Sequence, residues 1–340
     1  MDLLRRYREL NMSFEKIMVY HVGIDAGFFA EYTYMLDAML FCLQNKIQFR
    51  LYSSDANFKY DKGWTDYFLP FCVDVHETYH SCFNIHRLPS WNVILKQKQW
   101  NLLKWKFKSL FKNAVGDMLA FIQYRKRVFL NHNISFNPDC HFFIPELDIN
   151  GDYLHAFQVM VKITWHLNSE ANDVSKRYIN KLNLPSKYIS CQVRGGDKIT
   201  ETDLLLPQYY IDTIKDMCVE KNVFVLTDDI RIFNTLKQRE PDFNWYTLCT
   251  DEEYGYVNNT FSLQRGHSKK MQMLRFITSI DLIMKSNLFI GSITTNPSLF
   301  MLKLFYPQHN PIDCSKIGFK KIACSSIKER GEISKQYLKY

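Results

Sequence analysis

The chain of 340 residues has a net charge of +8; 46% of its residues are hydrophobic and 15% are aromatic. This composition excludes an intrinsically disordered chain, and the length predicts two domains. No run of about 18 apolar residues indicates a membrane span, and the first residues lack the apolar segment of a signal peptide. The basic surplus suits an anionic ligand, but no nucleic-acid-binding motif accompanies it, so we expect no nucleic-acid partner.

The nine cysteines are widely spaced and form no Cys-X-X-Cys pair, which argues against a zinc ribbon or a redox motif. Several lie in apolar runs, where a buried reduced thiol is the ordinary role. A reducing compartment fits this usage, so we predict a cytoplasmic protein. The Lys-, Asn-, Ile-, Phe- and Tyr-rich composition is typical of an AT-rich microbial or large-virus genome, and for a viral protein the cytoplasm would be that of the host.

The first half of the chain opens with a predicted βαβ unit. Its strands cover residues 16–22 and 47–52, and its helix covers about 28–44. Aromatic loops follow over 53–90, and helical patterns then cover about 91–112, 114–131 and 152–182.

Residues 96–112 contain six lysines and no acidic residue, and their apolar residues fall on one helical face. A basic amphipathic helix of this kind can lie on an anionic membrane. More often such a stretch is a core helix with a solvated charged face. We therefore expect peripheral membrane contact as one of two alternatives for this stretch.

The second half alternates regularly between strands and helices, which is typical of a parallel, doubly wound sheet. The strands are predicted at 187–193, 223–227, 244–248 and 288–291, and the helices at 207–220, 230–238, 268–286 and from Asn296 onward. We predict an α/β protein with two Rossmann-type domains facing a cleft. The domain boundary is placed between residues 185 and 186.

Polar residues cluster where these strands end, and the carboxyl ends of parallel strands are where open α/β sheets bind ligands. The first cluster is Arg194-Gly195-Gly196-Asp197-Lys198, with Glu201 close behind. Arginine and lysine suit a phosphate, and glycines let a backbone approach a ligand. A tight loop with a surface salt bridge is the structural alternative.

Two further clusters follow the same logic. Thr227-Asp228-Asp229 ends a strand and could hold a ribose or cap the next helix. Residues 292–296, Ser-Ile-Thr-Thr-Asn, precede a helix whose free N–H groups would form an anion site, unless they only cap it. No G-X-G-X-X-G, Walker or H-E-X-X-H motif occurs, and no Asp-X-Asp metal motif is present. We therefore expect neither a cofactor nor a metal.

In their order and spacing, these three clusters and Asp281 resemble the fucosyltransferase superfamily of α1,6-, α1,2- and protein O-fucosyltransferases. The resemblance covers about residues 187–304 and extends more weakly to Gly23–Gly27, which is similar to the family's glycine-rich first loop. It implies a GT-B-like fold and an inverting, metal-independent glycosyltransferase that moves L-fucose from GDP-fucose to a hydroxyl of a glycan or glycoconjugate acceptor. Residues 1–185 would form the acceptor side, and 186–340 would bind the nucleotide sugar and end in a helix.

The resemblance also implies roles for individual residues. Arg194 would bind the donor's β-phosphate, and with Lys198 it would hold the leaving diphosphate. Asp281 would contact the nucleotide base. The family's general base falls nearest to Glu201, with Asp203 as the second candidate. The implied donor-binding residues are Gln192, Arg194, Gly195, Gly196, Asp197, Thr227, Asp228, Asp229, Asp281, Ser292, Thr294, Thr295, Asn296 and Gly27.

Two positions depart from the family pattern, because Gln192 replaces its usual histidine and Gly195 its second arginine. UDP-xylose or a related deoxysugar nucleotide therefore stays open as the donor. The general base could also come from the first domain, through Asp25 or Glu31. The rival classes are a non-catalytic nucleotide-binding or membrane-associated protein and a methyltransferase, for which Gly23–Gly27 would be a poor glycine-rich loop.

Overall fold

A computed structural model describes residues 2–23, 26–84, 100–124, 128–129, 136, 140–195, 205–217, 220–305 and 312–313. The chain divides into two compact units that interleave along the sequence. Unit 1 comprises Met1–Ser135, Phe142–Asn150 and Val159–Asn168, and unit 2 comprises Phe136–His141, Gly151–Gln158 and Ser169–Tyr340. That residues 185 and 186 mark the boundary between two independently folding domains stays a prediction.

Unit 1 contains a four-stranded parallel sheet in the order β3-β2-β1-β4. Every residue of β1 after the first is buried, as expected for a parallel strand covered on both faces. Helices α1, α2 and α3 and the two-stranded sheet β5-β6 are further elements of this unit. The bounds are α1 Leu3–Met12, β1 Lys16–His21, α2 Phe28–Gln44, β2 Ile47–Tyr52, β3 Val73–Asp74, α3 Trp100–Tyr124, β4 Val128–Phe129, β5 Phe142–Ile144 and β6 Ile149–Gly151.

The core of unit 1 is aromatic. Trp64 is fully buried and stacks on Phe68, with 4.3 Å between ring centroids, and on Tyr32 at 5.5 Å. The Tyr32 hydroxyl lies 2.6 Å from Thr164 Oγ1, so its polar end has a partner inside the core. Three short 3₁₀ helices, Trp64–Asp66, Thr78–Phe83 and Pro145–Leu147, connect the larger elements.

Unit 2 contains a five-stranded parallel sheet in the order β11-β10-β7-β8-β9. The sheet grows from β7 to β9 on one side and from β10 to β11 on the other. The direction of the strand order therefore reverses between β7 and β10, as in Rossmann-type sheets. The bounds are α4 Tyr153–Thr164, which ends in unit 1, α5 Ser169–Leu182, β7 Ile189–Val193, α6 Pro207–Met217, β8 Asn222–Thr227, α7 Ile230–Arg239, β9 Asn244–Tyr246, α8 Asn258–Leu263, α9 Gly266–Met284, β10 Phe289–Gly291, α10 Asn296–Phe305 and β11 Ile312–Asp313. The α/β class with two Rossmann-type sheets is confirmed.

The sequence predicted the breaks between helices wrongly in two places. One continuous helix, α3, replaces the predicted pair that met at residue 113. Gly116 lies inside it because a Cβ there would be 2.4 Å from the sulfur of Cys82, so only glycine allows this close packing. Conversely, the predicted helix 152–182 is interrupted, because backbone hydrogen bonds of residues 166–168 go to residues 67–69 instead of continuing the helix.

Within the described part of the chain, no helix is both long enough and apolar enough to cross a bilayer.

A buried histidine lies where α3 packs on the 3₁₀ helix Thr78–Phe83. His80 Nδ1 is 2.9 Å from Nε2 of His21, and the Tyr79 ring stacks on His80 with 4.2 Å between centroids. The Tyr124 hydroxyl lies 3.4 Å from His80 Nε2. Burial lowers the pKa of His80 to about 4, although Glu77 acts in the opposite direction.

We expect His80 to make unit 1 less stable in acid. Below pH 6.5 the unfolded chain binds a proton at this site, whereas the folded chain resists it until about pH 4. Stability should therefore be complete near pH 7 and fall by roughly 2–3 kcal/mol between about pH 6.5 and 4. Urea unfolding at a series of pH values tests this. His80→Gln should flatten that part of the profile, and an unchanged slope in the variant would contradict the assignment.

Candidate functional site

The reversal point of the unit 2 sheet is held together by one buried side chain. Gln192, near the end of β7, is 4% exposed. Its amide oxygen accepts hydrogen bonds from Thr295 Oγ1, at 2.7 Å, and from the Ser298 hydroxyl. Strands β7 and β10 are direct neighbours, so this amide joins the end of one strand to the helix that follows the other. The crevice where Rossmann folds bind ligands is at such a point.

The end of β10 is packed closely enough against α10 to require glycine at Gly291. A Cβ there would lie 2.6 Å from the Ser298 hydroxyl and 2.8 Å from the Phe289 ring. The Thr295 hydroxyl accepts from Ser298 N at 3.3 Å and so caps α10. Predicted residues Ser292 and Thr294 share a 2.8 Å hydrogen bond between their hydroxyls. The hydroxyl-rich loop therefore lies at the N-terminus of α10, where backbone N–H groups favour an anion.

Arg194, the residue directly after β7, is held in place by Asp228. Its Nη1 donates to Asp228 Oδ2, and the two side chains are 18% and 17% exposed. The same carboxylate accepts from the backbone N–H of Gly195, at 2.7 Å, and of Tyr256, at 2.8 Å. The guanidinium also lies over the Tyr256 ring, 5.0 Å from its centroid. A half-buried arginine is thus fixed between a carboxylate and an aromatic face.

The adjacent Asp229 has a different role. It is the N-cap of α7 and accepts from Arg231 N, at 3.0 Å, and from Arg231 Nε, at 2.9 Å. The side-chain hydrogen bond from Arg231 holds the pKa of Asp229 below its usual value, although burial acts in the opposite direction. Arg231 lies over the ring of Tyr254 and is 68% exposed. Of the two predicted aspartates, Asp228 therefore organises the arginine at the strand end, and Asp229 caps a helix.

Gly195 contacts the protein rather than open space. A Cβ at this position would lie 3.1 Å from both Asp229 Cβ and Ile232 Cδ1. The sequence suggested that the two glycines let a ligand come close to the backbone. At Gly195, the start of α7 packs close to the backbone. The missing side chain thus lets the loop after β7 pack on α7.

The other predicted residues fall into three groups. Thr227 is buried at the end of β8, and Asp281 and Asn296 lie on α9 and at the start of α10, half-buried and exposed respectively. Gly27 is the N-cap of α2 in unit 1, where an added Cβ would have no neighbour within 4 Å, and Glu31 is buried in the first turn of that helix. Predicted residues outside the described part of the chain are Gly196, Asp197, Lys198, Glu201, Asp203 and Asp25.

Sequence reasoning missed Tyr256 and Ser298. Tyr256 follows an irregular stretch with no motif, and the antiparallel bridge between Asp229 and Tyr254 brings that stretch beside Arg194. Ser298 could have been found, because it lies three residues after Thr295 and so shares a helix face with it. Among the described residues, no group of three or more His, Cys, Asp or Glu side chains could hold a metal ion.

No protein-family model matches the chain, and no curated protein matches it. The chain is similar to solved structures of fucosyltransferases. Fucosyltransferase NodZ from Bradyrhizobium gives a TM-score of 0.48 at 10% identity, over 86% of this chain and 93% of that one. POFUT1 in complex with GDP-fucose gives 0.47 at 10%, over 88% and 96%. An Arabidopsis thaliana FUT1 variant in complex with GDP gives 0.46 at 12%, over 89% and 72%.

We predict that Gln192→Leu lowers the free energy of unfolding by about 2 kcal/mol, because two buried hydroxyl groups lose their shared acceptor. Urea unfolding at pH 7 measures the change. Gln238→Leu, on the exposed side of α7, is the matched control and should stay within about 0.5 kcal/mol of wild type. Equal stability of all three proteins would show that the Gln192 contact contributes nothing.

Proposed function

We propose that this chain is an inverting glycosyltransferase that binds a nucleotide-sugar donor in unit 2, with the donor's diphosphate at the carboxyl ends of β7 and β10. One observation carries the proposal: Arg194 is fixed by Asp228 and Tyr256 at the point where the strand order reverses. The neighbouring hydroxyl-rich loop opens α10, whose N-terminus favours the same charge.

The chemistry follows from the charge that develops in the reaction. The acceptor hydroxyl oxygen forms a bond to the anomeric carbon while the bond from that carbon to the diphosphate oxygen breaks. The diphosphate leaves with its negative charge, which Arg194, the positive end of the α10 dipole and Lys198 would stabilise without a metal or another cofactor. A carboxylate, for which we propose Glu201, takes the proton of the acceptor hydroxyl as the oxygen attacks.

GDP-fucose is the proposed donor, and UDP-xylose or a related deoxysugar nucleotide is the alternative. The order and spacing of the motifs support the first choice, and the departures at Gln192 and Gly195 keep the second open. In this chain the amide oxygen of Gln192 already accepts from Thr295 and Ser298. Any contact of Gln192 with the base would therefore use its amide nitrogen, the donor end of the side chain.

The rest of the proposal concerns the acceptor and the setting. We propose that residues 1–185 serve the acceptor, a hydroxyl of a glycan or glycoconjugate, and that the enzyme works in a reducing cytoplasm. We also propose that the basic stretch 96–112 makes peripheral membrane contact, through the exposed surface of α3.

Nucleotide binding is the direct test of the proposed site. Titration calorimetry with GDP-fucose, UDP-xylose and GDP, all in excess EDTA, should give heat of binding for at least one nucleotide. Arg194→Ala should reduce transfer by about 10²–10³-fold, the usual cost of losing a preorganised donor. A folded variant with near-normal turnover would mean that Arg194 is merely structural.

Arg231→Ala is the matched control for that experiment. Both arginines pair with an aspartate and lie over a tyrosine ring, but Arg231 is mostly exposed and serves the N-cap of α7. We expect Arg231→Ala to keep wild-type nucleotide affinity and turnover. Equal losses in the two variants would point to general disruption and contradict the specific role of Arg194.

Binding that disappears on chelation would contradict the metal-free mechanism.

The general base is tested by a pair of conservative variants. We expect Glu201→Gln to keep donor affinity and to lose turnover by about a hundredfold or more, because the attacking hydroxyl would no longer lose its proton to a carboxylate. Asp203→Asn should do much less. A dead Asp203→Asn with an active Glu201→Gln would move the role to Asp203, and two active variants would place the base elsewhere, with Asp25 and Glu31 the next candidates.

A further inference from the structure

Helix α3 leaves a large apolar surface exposed. Large apolar side chains along it are between 51% and 73% exposed, and we call this set the apolar stripe: Phe107, Leu110, Phe111, Met118, Phe121 and Ile122. At 100° per residue they fall within an arc of about 120°, so they form one face along some four turns of the helix. Contiguous exposed apolar surface of this kind marks an interaction site.

A different face of α3 packs on unit 1. Gly116 and Ala120 are buried there, and the close approach at Gly116 is to Cys82 and Phe83 of the 3₁₀ helix Thr78–Phe83. Around the helix, Gly116 lies about 120° or more from every residue of the apolar stripe, and Ala120 about 80° or more. Packing on the 3₁₀ helix Thr78–Phe83 therefore uses one side of α3, and the exposed stripe lies on another.

In the sequence, the basic charge of the protein is concentrated in the segment that contains α3. Residues 85–135 contain ten lysines and arginines and a single acidic residue, Asp117. Their surplus of nine exceeds the net charge of +8 of the whole chain, so the remaining residues are nearly neutral in sum. Lys104 and Lys112, both exposed, belong to this cluster on α3 itself.

We propose that the apolar stripe and the basic residues of segment 85–135, among them the exposed Lys104 and Lys112, dock on an anionic lipid bilayer. A bilayer surface offers both components, an apolar phase for the aromatic and aliphatic side chains and anionic headgroups for the lysines. Nucleic acid offers the charge without the apolar phase. Docking of this kind does not require transferase activity.

Two other occupants fit the charges poorly. A second copy of the chain would bring two surpluses of nine positive charges together. The C-terminal residues 314–340 hold seven basic and two acidic residues, so they carry the same sign as the helix. Like charges juxtaposed across an interface are unfavourable, whereas an anionic membrane attracts each basic residue near its surface.

Flotation of the full chain with vesicles tests the proposal. We expect binding to vesicles of phosphatidylcholine with about a third of phosphatidylserine, and at least about tenfold weaker binding to phosphatidylcholine alone, because several lysines each contribute about fivefold. High salt should weaken the binding by screening. The double variant Phe111→Glu/Phe121→Glu should lose about tenfold or more, because it removes apolar area and adds charge repelled by the lipid.

Phe143→Glu is the matched control, since Phe143 is 68% exposed on β5, outside the stripe; it should bind vesicles as wild type does. All of these side chains are exposed, so thermal melting should be unchanged in every variant. Absence of wild-type binding to the anionic vesicles overturns the proposal, as does binding that survives the double substitution. A dimer that the double substitution dissociates, without vesicle binding, would identify the stripe as a self-association surface instead.

Discussion

The buried amide of Gln192 is the constraint on which the arrangement of unit 2 depends. Strands β7 and β10 are neighbours in the sheet but almost a hundred residues apart in sequence, and the order of the sheet reverses between them. One oxygen that accepts from both Thr295 and Ser298 fixes where α10 begins relative to β7. The position of Arg194, two residues further on, is defined relative to the same helix N-terminus for this reason.

Unit 2 contains two chemically similar Arg–Asp ion pairs that have different roles. Arg194 with Asp228 and Arg231 with Asp229 are both ion pairs beside tyrosine rings, yet their exposures differ nearly fourfold for the arginines, 18% against 68%. Asp228 also takes two backbone N–H groups from separate segments, so removing it would loosen the loop after β7 and the loop before α8 together. Burial of the arginine and the backbone contacts of its aspartate, rather than residue type, distinguish the Arg194–Asp228 pair from the helix-capping pair.

Particular elements show how much of the fold could be predicted from the sequence. The strands and helices that were predicted in the alternating half lie within a few residues of the observed ones, because each buried strand is a short apolar run with clear turn residues on either side; helix α8 and strand β11 were not predicted. The reversal between β7 and β10 was implied by the alternation, but the Gln192 contacts were not, because a hydrogen bond between residues a hundred positions apart leaves no local pattern. Tyr256 was missed for the same reason, and the break in the predicted helix 152–182 arises from pairing with residues 67–69.

The distribution of charge changes what the net charge of +8 means for the site. A uniformly basic protein would draw an anionic nucleotide through its overall field. Here the surplus belongs to residues 85–135, and the rest of the chain is nearly neutral. Exposed charges separated by more than about 8–10 Å are largely screened at physiological salt, whereas Arg194 is only 18% exposed at the end of β7. For the proposed diphosphate site in unit 2, we therefore expect the attraction to come mainly from groups fixed within contact distance, namely the positioned Arg194 and the N-terminus of α10.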